Sequence, residues 1–293
     1  MCNLYMMVGL PGSGKTSYAK TIENAVVLSS DEIRENLFGD CNDQKHNNEL
    51  FSYIHKQLIK NLKEGNNVVM DATNISKKRR IHLLKQIPKD VKKHCIVMAT
   101  PYEDCLKRNF ERERKVPESV IRRMRLSWCP PHTSEGFDSI KYVFSDGIQK
   151  REPYEWVENV KDFDQENPHH CLTLGGHCRA TAAYVGRVST NNILKTAALL
   201  HDLGKEYTKV FFDKKGNPTK DAHYYNHHNV GSYEAMFFLP EDEIEEVTNL
   251  IYYHMAPFNW VKSKKAYGRD TSLLGREFIA NIELLHEADV LAH

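Results

Sequence analysis

The stretch GLPGSGKT, from Gly9 to Thr16, decides the fold of the first half of this 293-residue chain. It follows the apolar run LYMMVGL, which predicts a buried strand, and precedes residues that predict a helix from about Lys15 to Ile22. A glycine-rich turn in this position lets backbone N–H groups curl around phosphate oxygens. Lys15 supplies a point charge and Thr16 a hydroxyl group for Mg²⁺. The pattern predicts a P-loop that binds ATP and Mg²⁺ through Gly12, Ser13, Gly14, Lys15 and Thr16.

Apolar runs alternate with helical stretches up to about residue 150. The runs AVVLSS, NNVVMDATN and HCIVMAT lack polar alternation, which favours a parallel sheet covered by helices on both faces. From Tyr154 onward the runs read as helices, with no convincing strand, and residues 213–229 read as a loop. We therefore predict two domains: an α/β P-loop kinase-like domain over 1–150, a linker over 151–167 and an all-α domain over 168–293.

Charge differs between the two halves, although the whole chain carries a net charge of only +1. Residues 1–150 hold 25 basic against 18 acidic residues, and residues 151–293 hold 15 against 21. A basic first half suits an anionic partner, and an acidic, histidine-rich second half suits metal ions. No apolar run approaches the length of a membrane span, and the seven cysteines form no CxxC pair. Free thiols in a reducing cytoplasm and no membrane partner are the expectation.

Two acidic positions in the first half are candidates for the chemistry of phosphoryl transfer, which needs a base for the acceptor hydroxyl. Asp31 and Arg34 follow the second predicted strand and lie one helical turn apart, so a carboxylate and a guanidinium would face the same side. Asp71 ends the third strand, where parallel sheets place ligand contacts. An ordinary helix cap with an acidic first turn explains either pattern equally simply.

Several basic runs could contact ATP or a nucleic-acid backbone. Arg108, Arg112 and Arg114 are spaced so that at least two point together over the ATP phosphates, or else pair with Glu111 and Glu113 on a solvated face. Two further runs could track a phosphodiester backbone or merely face solvent: Lys77 to Arg80, and Arg122, Arg123 and Arg125.

Histidines and aspartates recur through the second half, at positions that end or interrupt apolar helices. Imidazole and carboxylate together suit Mn²⁺, Fe²⁺, Ni²⁺ or Zn²⁺, and no cysteine has the spacing of a structural zinc site. Any one such histidine is more often a surface or satisfied core residue, but the set predicts a site for one or two divalent metal ions. Its members are His177, His201, Asp202, His223, His227, His228, His254 and Asp289.

In the first half, GLPGSGKT, DEIR, DATNISKKRR and CLKRNFERERKVPESVIRRM resemble, in that order and spacing, the phage-type polynucleotide 5′-kinase family. The resemblance implies that Asp31 is the general base, that Arg34 contacts the transferred phosphate and that Asp71 helps to build the acceptor site. It also implies that Arg108 and Arg112 form a lid over ATP. The phosphatase usually fused to such kinases has no motif in this chain.

The second half resembles the HD superfamily of metal-dependent phosphohydrolases, through GGHCRATAAYV, ALLHDLGK, HYYNHHNVGSYEA, LIYYHM and LLHEADVLAH. The resemblance implies that His177, His201, Asp202 and Asp289 bind a first metal ion. It matches His227, in preference to His228, and His254 to the extra histidines of two-metal members. Asp202 would then bridge two metal ions that activate water, and Lys205 would hold the substrate phosphate.

Taken together, these resemblances imply a bifunctional enzyme that heals the ends of RNA or DNA. Its kinase would phosphorylate a 5′-hydroxyl, and its HD domain would remove a 3′-phosphate or open a 2′,3′-cyclic phosphate. A ligase is the candidate partner. One alternative is a kinase for a small molecule or tRNA joined to an HD nucleotide phosphohydrolase. A non-catalytic nucleotide sensor is a further alternative, which the complete set of motifs disfavours.

Overall fold

The computed structural model describes residues 2–40, 43, 45–168 and 170–292. The chain divides into two compact units. The first comprises the residues up to Met124 together with Pro131–Ile148, and the second comprises Arg125–Pro130 and the residues from Gln149 onward. In the described part of the chain, every helix is too short or too polar to cross a bilayer. Six cysteines are free thiols, and Cys41 lies outside the described residues.

A five-stranded parallel sheet forms the centre of the first unit, which confirms the predicted fold class. Its strand order is β2-β3-β1-β4-β5, so β3 lies between β2 and β1. The strands are β1 (Asn3–Val8), β2 (Ala25–Ser29), β3 (Asn67–Asp71), β4 (Lys92–Ala99) and β5 (Ser139–Phe144). The last of these was not among the strands predicted from the sequence.

Helices connect these strands and begin at the carboxyl edge of the sheet. They are α1 (Lys15–Ala19), α2 (Ser30–Phe38), α3 (Asn47–Lys63), α4 (Lys77–Leu84), α5 (Tyr102–Glu111) and α6 (Glu118–Arg125). In α3 the apolar face repeats every four residues and is buried, at Leu50, Ile54, Leu58 and Leu62. Because such a face covers the sheet, the loops at the carboxyl edge are held close to one another.

The second unit is mainly helical. Its helices are α7 (Pro153–Asn159), α8 (Leu174–Val188), α9 (Asn192–Leu200), α10 (Lys205–Thr208), α11 (His227–Glu234), α12 (Ile244–Tyr253), α13 (Pro257–Trp260), α14 (Lys264–Leu274) and α15 (Arg276–Leu291). The contacts of α8 with α9 and α15, and of α12 with α9 and α11, form its core.

In two places the second half contains regular structure that the sequence did not predict. Residues predicted as a loop contain part of an antiparallel hairpin, whose strands are β6 (Lys209–Phe212) and β7 (Pro218–Tyr224). Residues predicted as a linker contain α7, whose Trp156 is buried and donates a hydrogen bond from Nε1 to Glu206 at 2.8 Å. A Pro at the start of α7 favours helix rather than an extended linker, because its fixed φ suits the first helical turn.

Two of the basic residues that could contact a nucleic acid or merely face solvent form ion pairs with acidic side chains of the protein. Arg80 is fully buried and forms two hydrogen bonds of 2.7 Å with Glu135, so it is not on a basic surface. Arg125 pairs with Glu234 at 2.7 Å inside the second unit. Next to it, Trp128 is fully buried, and its backbone carbonyl accepts a 2.7 Å hydrogen bond from the side-chain amide of Asn229.

Replacing Glu135 with Gln should destabilise the first unit by about 3–5 kcal/mol, because it leaves the buried guanidinium of Arg80 without a countercharge. The matched control is Lys92→Ala, which removes a partly exposed ion pair with Asp138 and should cost less than about 1 kcal/mol. Urea unfolding followed by far-ultraviolet circular dichroism measures both. Equal losses for the two variants would contradict this assignment.

Candidate phosphoryl-transfer site and metal centre

The P-loop between β1 and α1 holds Lys15 at its centre. The Lys15 side chain is buried, and its Nζ donates a 2.8 Å hydrogen bond to the backbone carbonyl of Leu10. Burial lowers the pKa of Lys15, and the nearby carboxylate of Asp71 partly offsets that effect. Gly12 has a φ of +81°, and a Cβ there would lie 2.3 Å from the carbonyl oxygen of Cys105. The loop therefore requires glycine at this position.

Asp71 lies next to the predicted magnesium ligand. The hydroxyl of Thr16 donates a 2.7 Å hydrogen bond to Oδ2 of Asp71. The strand order explains this contact, because β3 lies directly beside β1, which leads into the P-loop. Burial raises the pKa of Asp71, while the bond from Thr16 and the charge of Lys15 act in the opposite direction. This position suits a carboxylate that supports Mg²⁺ binding, whereas the predicted acceptor role of Asp71 stays a prediction.

Asp31 is the exposed carboxylate at this edge, and two guanidinium groups hold it. Arg34 Nη1 lies 3.1 Å from its Oδ1, and Arg114 Nη1 lies 2.6 Å from its Oδ2. Arg34 is itself buried and also donates to Asn47 Oδ1 at 3.2 Å. Such a fixed carboxylate can accept a proton from a hydroxyl group, and the guanidinium groups can stabilise a phosphoryl group beside it.

The segment predicted to cover ATP is organised by a buried asparagine. Asn109 accepts hydrogen bonds from the guanidinium of Arg112, at 2.6 and 3.1 Å, and from the backbone N–H of Val116, at 2.9 Å. Arg108 points at the P-loop, since its Nη1 lies 3.9 Å from where a Cβ of Gly14 would be. Sequence reasoning assigned Arg108 and Arg112 to this lid. It missed the contact of Arg114 with Asp31 and the organising role of Asn109.

In the second unit, four buried histidines share one hydrogen-bonding pattern. Each uses Nδ1 for a backbone carbonyl 2.6–2.8 Å away: His177 with Ala292, His201 with Ala198, His227 with Tyr224, and His254 with Ile251. A carbonyl oxygen only accepts, so Nδ1 carries the proton in each ring, and in the neutral form of the ring Nε2 presents its lone pair. The carbonyl thereby fixes each ring in an orientation in which Nε2 can bind a metal ion.

The Nε2 atoms of these histidines converge in two pairs. His177 and His201 have Nε2 atoms 3.1 Å apart, as do His227 and His254. Two facing lone pairs repel each other, so each pair is stable only with a proton or a metal ion between its members. Ligand atoms about 3–3.5 Å apart are the spacing expected around one metal ion with bonds of about 2.1 Å.

Asp202 lies beside both pairs of histidines, with one carboxylate oxygen near each pair. Its Oδ2 lies 3.5 Å from His177 Nε2 and 3.4 Å from His201 Nε2. Its Oδ1 lies 3.3 Å from His227 Nε2 and 3.9 Å from His254 Nε2. The first group of ligand atoms also includes Asp289, whose Oδ1 lies 3.0 Å from His177 Nε2. Asp202 therefore belongs to both groups of candidate ligand atoms.

The electrostatics of this cluster favour positive charge near Asp202. Burial lowers the pKa of His201, but the carboxylates of Asp202 and Asp289 outweigh burial and raise it to about 10. Burial lowers the pKa of His227 to about 4 and that of His254 to about 3, so both are neutral at pH 7. Neutral imidazole is the form that binds a metal ion, so His227 and His254 are already in that form, whereas a metal ion would have to displace a proton from His201. With its carboxylates, the donor set fits one or two divalent cations.

Lys205 lies at the edge of the cluster, where its Nζ is 2.7 Å from Asp202 Oδ2. Two residues that sequence reasoning missed contact the same Nζ: Gln165 Oε1 at 2.8 Å and His170 Nε2 at 3.1 Å. Both precede α8 in a segment that carries no regular periodicity, so only the tertiary structure shows this contact. His228, the residue not favoured as a ligand, is absent from both groups of converging ligand atoms.

Comparison with known proteins finds a family on each half of the chain. Residues 4–131 match the AAA domain family, and residues 169–292 match the HD domain family. The chain joins a P-loop kinase domain to an HD domain. These two domain matches support an enzyme, with ATP and Mg²⁺ implied for the first domain and a divalent metal for the second.

Among individual proteins, the L-seryl-tRNA(Sec) kinase of Methanococcus maripaludis is 28% identical over 151 residues, which are 46% of this chain and 56% of that protein. A putative bifunctional polynucleotide kinase/RNA ligase of Autographa californica nuclear polyhedrosis virus is 27% identical over 131 residues, 39% of this chain and 19% of that protein. A chain in the structure of the Pnkp1/Rnl/Hen1 RNA repair complex is 27% identical, with 42% of each chain covered and a TM-score of 0.37. In these curated relatives, the region that matches this chain covers at most 56% of the relative's own length.

Purified wild-type protein should carry about two divalent transition metal ions per chain, and Asp202→Asn should carry fewer than one, because Asp202 faces both positions. Inductively coupled plasma mass spectrometry measures the metal content. His228→Gln is the control and should retain the wild-type content. Wild-type protein without bound metal would show that the cluster is a hydrogen-bonded core and not a metal centre, and unchanged metal content in Asp202→Asn would contradict the role given to Asp202.

Proposed function

We propose that the protein is a bifunctional end-healing enzyme. Its P-loop domain transfers a phosphoryl group from ATP to the 5′-hydroxyl of RNA or DNA. Its HD domain removes a 3′-phosphate or opens a 2′,3′-cyclic phosphate. The observation that carries the proposal is the pairing of an acceptor-side carboxylate, Asp31 held by Arg34 and Arg114, with a separate two-position metal cluster around Asp202.

In the kinase reaction, Asp31 would accept the proton of the 5′-hydroxyl as that oxygen attacks phosphorus. Its exposed side chain is open to an acceptor, and the two arginines hold it in one orientation. Arg34 and Lys15 would stabilise the charge on the transferred group, and Arg108 and Arg112 would enclose the nucleotide. Mg²⁺, supported by Thr16 and Asp71, would neutralise the ATP phosphates.

In the HD domain, His177, His201, Asp202 and Asp289 would hold one metal ion, and Asp202, His227 and His254 a second. Bound metal ions lower the pKa of water and polarise phosphoryl oxygens, which is the chemistry of phosphomonoester and phosphodiester hydrolysis. Lys205 would hold a phosphate oxygen from the rim of the cluster, with Gln165 and His170 fixing its ammonium group. Mn²⁺, Fe²⁺, Ni²⁺ and Zn²⁺ all suit this donor set.

The polynucleotide substrate is supported by the similarity of the first half to the viral polynucleotide kinase/RNA ligase, together with the basic charge of residues 1–150. A ligase would be the natural partner, since healed 5′-phosphate and 3′-hydroxyl ends are ligase substrates. We also assign the enzyme to the cytoplasm, where ATP and reduced thiols are available. The second candidate acceptor is a small molecule or tRNA, which the similarity to L-seryl-tRNA(Sec) kinase favours.

Asp31→Asn should lower the rate of ATP-dependent 5′-phosphorylation by roughly 10²–10⁴-fold, because the amide cannot accept the proton. Transfer of the γ-phosphate to 5′-OH RNA and DNA oligonucleotides measures this rate. The control is Glu32→Gln, which alters the adjacent exposed carboxylate and should retain activity. Failure of wild-type protein to phosphorylate either polymer, while it phosphorylates a small molecule or tRNA, would favour the second candidate.

The two activities should separate by mutation. Asp202→Asn should abolish phosphate release from a 3′-phosphorylated oligonucleotide and should leave 5′-phosphorylation intact, because the two clusters share no residue. Asp31→Asn should have the opposite effect. Phosphate release that persists in Asp202→Asn and after treatment with a chelator would contradict metal-dependent hydrolysis.

A further inference from the structure

The β6–β7 hairpin lies between two residues of the metal centre. Lys205 precedes β6 by four residues, and His227 follows the end of β7 by three. The base of the hairpin is tied to the site, because the backbone carbonyl of Tyr224 accepts from His227 Nδ1 at 2.8 Å. The Tyr224 hydroxyl donates to the backbone carbonyl of Gln165 at 2.6 Å, and Lys205 Nζ lies 5.4 Å from the ring centre. The hairpin therefore begins and ends at the metal centre.

Aromatic side chains of the hairpin remain accessible. Phe211 and Phe212 are adjacent and keep 38% and 52% of their surfaces exposed. On the other side of the hairpin, the half-buried rings of His223 and Tyr225 stack with their centres 5.3 Å apart and with an angle of 10° between their planes. The bases of single-stranded nucleic acids stack on accessible aromatic side chains, and these rings lie near the proposed phosphate-processing site.

Lysines surround these rings, although the second half of the chain is acidic. Lys214, Lys215 and Lys220 are exposed, and none of them pairs with a carboxylate in the part of the chain that the structure describes. Lys214 Nζ lies 5.8 Å from the ring centre of Tyr225. The carboxylate of Asp213 is occupied at the hairpin tip, where it accepts from the backbone N–H groups of Lys215 and Asn217 at 2.8 Å. The hairpin thus carries local positive charge that complements a phosphodiester backbone.

The tip is held in a defined shape, which makes the surface suitable for binding. In addition to those two bonds, the backbone N–H of Asp213 donates to the Asn217 carbonyl at 2.8 Å, and Oδ2 of Asp213 accepts from the side-chain amide of Asn217 at 2.8 Å. Strand β7 is also held in place, because the backbone N–H of Ala222 donates a 2.8 Å hydrogen bond to the backbone carbonyl of Glu166. A preorganised platform loses little conformational entropy when a ligand binds.

We propose that this hairpin is the docking surface for the single-stranded polynucleotide whose 3′-terminal phosphate enters the metal centre. Nucleotides preceding the terminus would stack on Phe212 and on the His223–Tyr225 pair, and Lys214, Lys215 and Lys220 would contact their phosphates. The inference rests on the proposed function of the HD domain. It extends that function by giving the domain a preference for a polymer over a mononucleotide.

The test uses the full-length protein and a single-stranded RNA that carries phosphate at both ends, so that the RNA is not a kinase acceptor. Photocrosslinking through 5-iodouridine near the 3′ end, followed by peptide mapping, should label residues 209–225. Phe212→Ala should raise the Kd for this RNA roughly tenfold, the loss expected for one stacked base. Crosslinks confined to the first unit, with a Kd for Phe212→Ala within twofold of wild type, would overturn the proposal.

The proposed contacts between the hairpin lysines and the RNA phosphates can be tested separately. The variant has Lys214, Lys215 and Lys220 all changed to Ala. If each lysine contacts one phosphate, the slope of log Kd against log salt concentration should fall by up to about 2, because each lost contact lowers it by about 0.7. The matched control changes three exposed lysines elsewhere in the same unit, Lys262, Lys264 and Lys265, to Ala and should keep the wild-type slope. Equal slopes for the two triple variants would overturn the proposal.

Failure of the inference and failure of the proposed function give different results. RNA binding at the hairpin without release of the 3′-phosphate would contradict the proposed hydrolysis and support the docking surface. Phosphate release with unchanged RNA binding in the hairpin variants would support the hydrolysis and contradict the docking surface. Wild-type metal content in each hairpin variant would show that the metal centre itself is intact.

Discussion

Hydrogen bonds from four buried imidazoles to backbone carbonyls fix the centre of the second unit. Each Nδ1 is bound to a carbonyl, so each Nε2 is directed toward the neighbouring imidazole and carboxylate groups. The carboxylate of Asp202 lies between the two facing pairs of histidines, so several helices contribute side chains to one cluster of candidate metal ligands. Metal binding would then contribute to the stability of this unit as well as to its chemistry.

In the first unit, the order of the strands in the sheet determines which side chains lie close together. Strand β3 lies between β2 and β1, so Asp71 is placed beside the P-loop threonine. Asp31 follows β2 at the same edge and has a pair of arginines as its neighbours. The carboxyl edge of the parallel sheet thus carries one buried carboxylate beside the P-loop and one exposed carboxylate after β2.

Much of the fold and of the site could be predicted from the sequence, because the P-loop and the His-Asp dipeptide are local patterns. Contacts between distant segments could not. The bond from Thr16 to Asp71 depends on strand order, and the burial of Arg80 depends on its pairing with Glu135, 55 residues away. The hairpin was missed because β6 is short and β7 begins with Pro and contains charged residues, which hide the alternation typical of a strand. The burial of Trp128 in the second unit likewise has no sequence signal.

The most direct test of the account uses one RNA strand with a 5′-hydroxyl and a 3′-phosphate, incubated with the protein, ATP, Mg²⁺ and Mn²⁺. Mass spectrometry of the RNA, with digestion to assign each end, measures both reactions in the same molecule. The account predicts a product with a 5′-phosphate and a 3′-hydroxyl. Consumption of ATP with both RNA ends unchanged would contradict it.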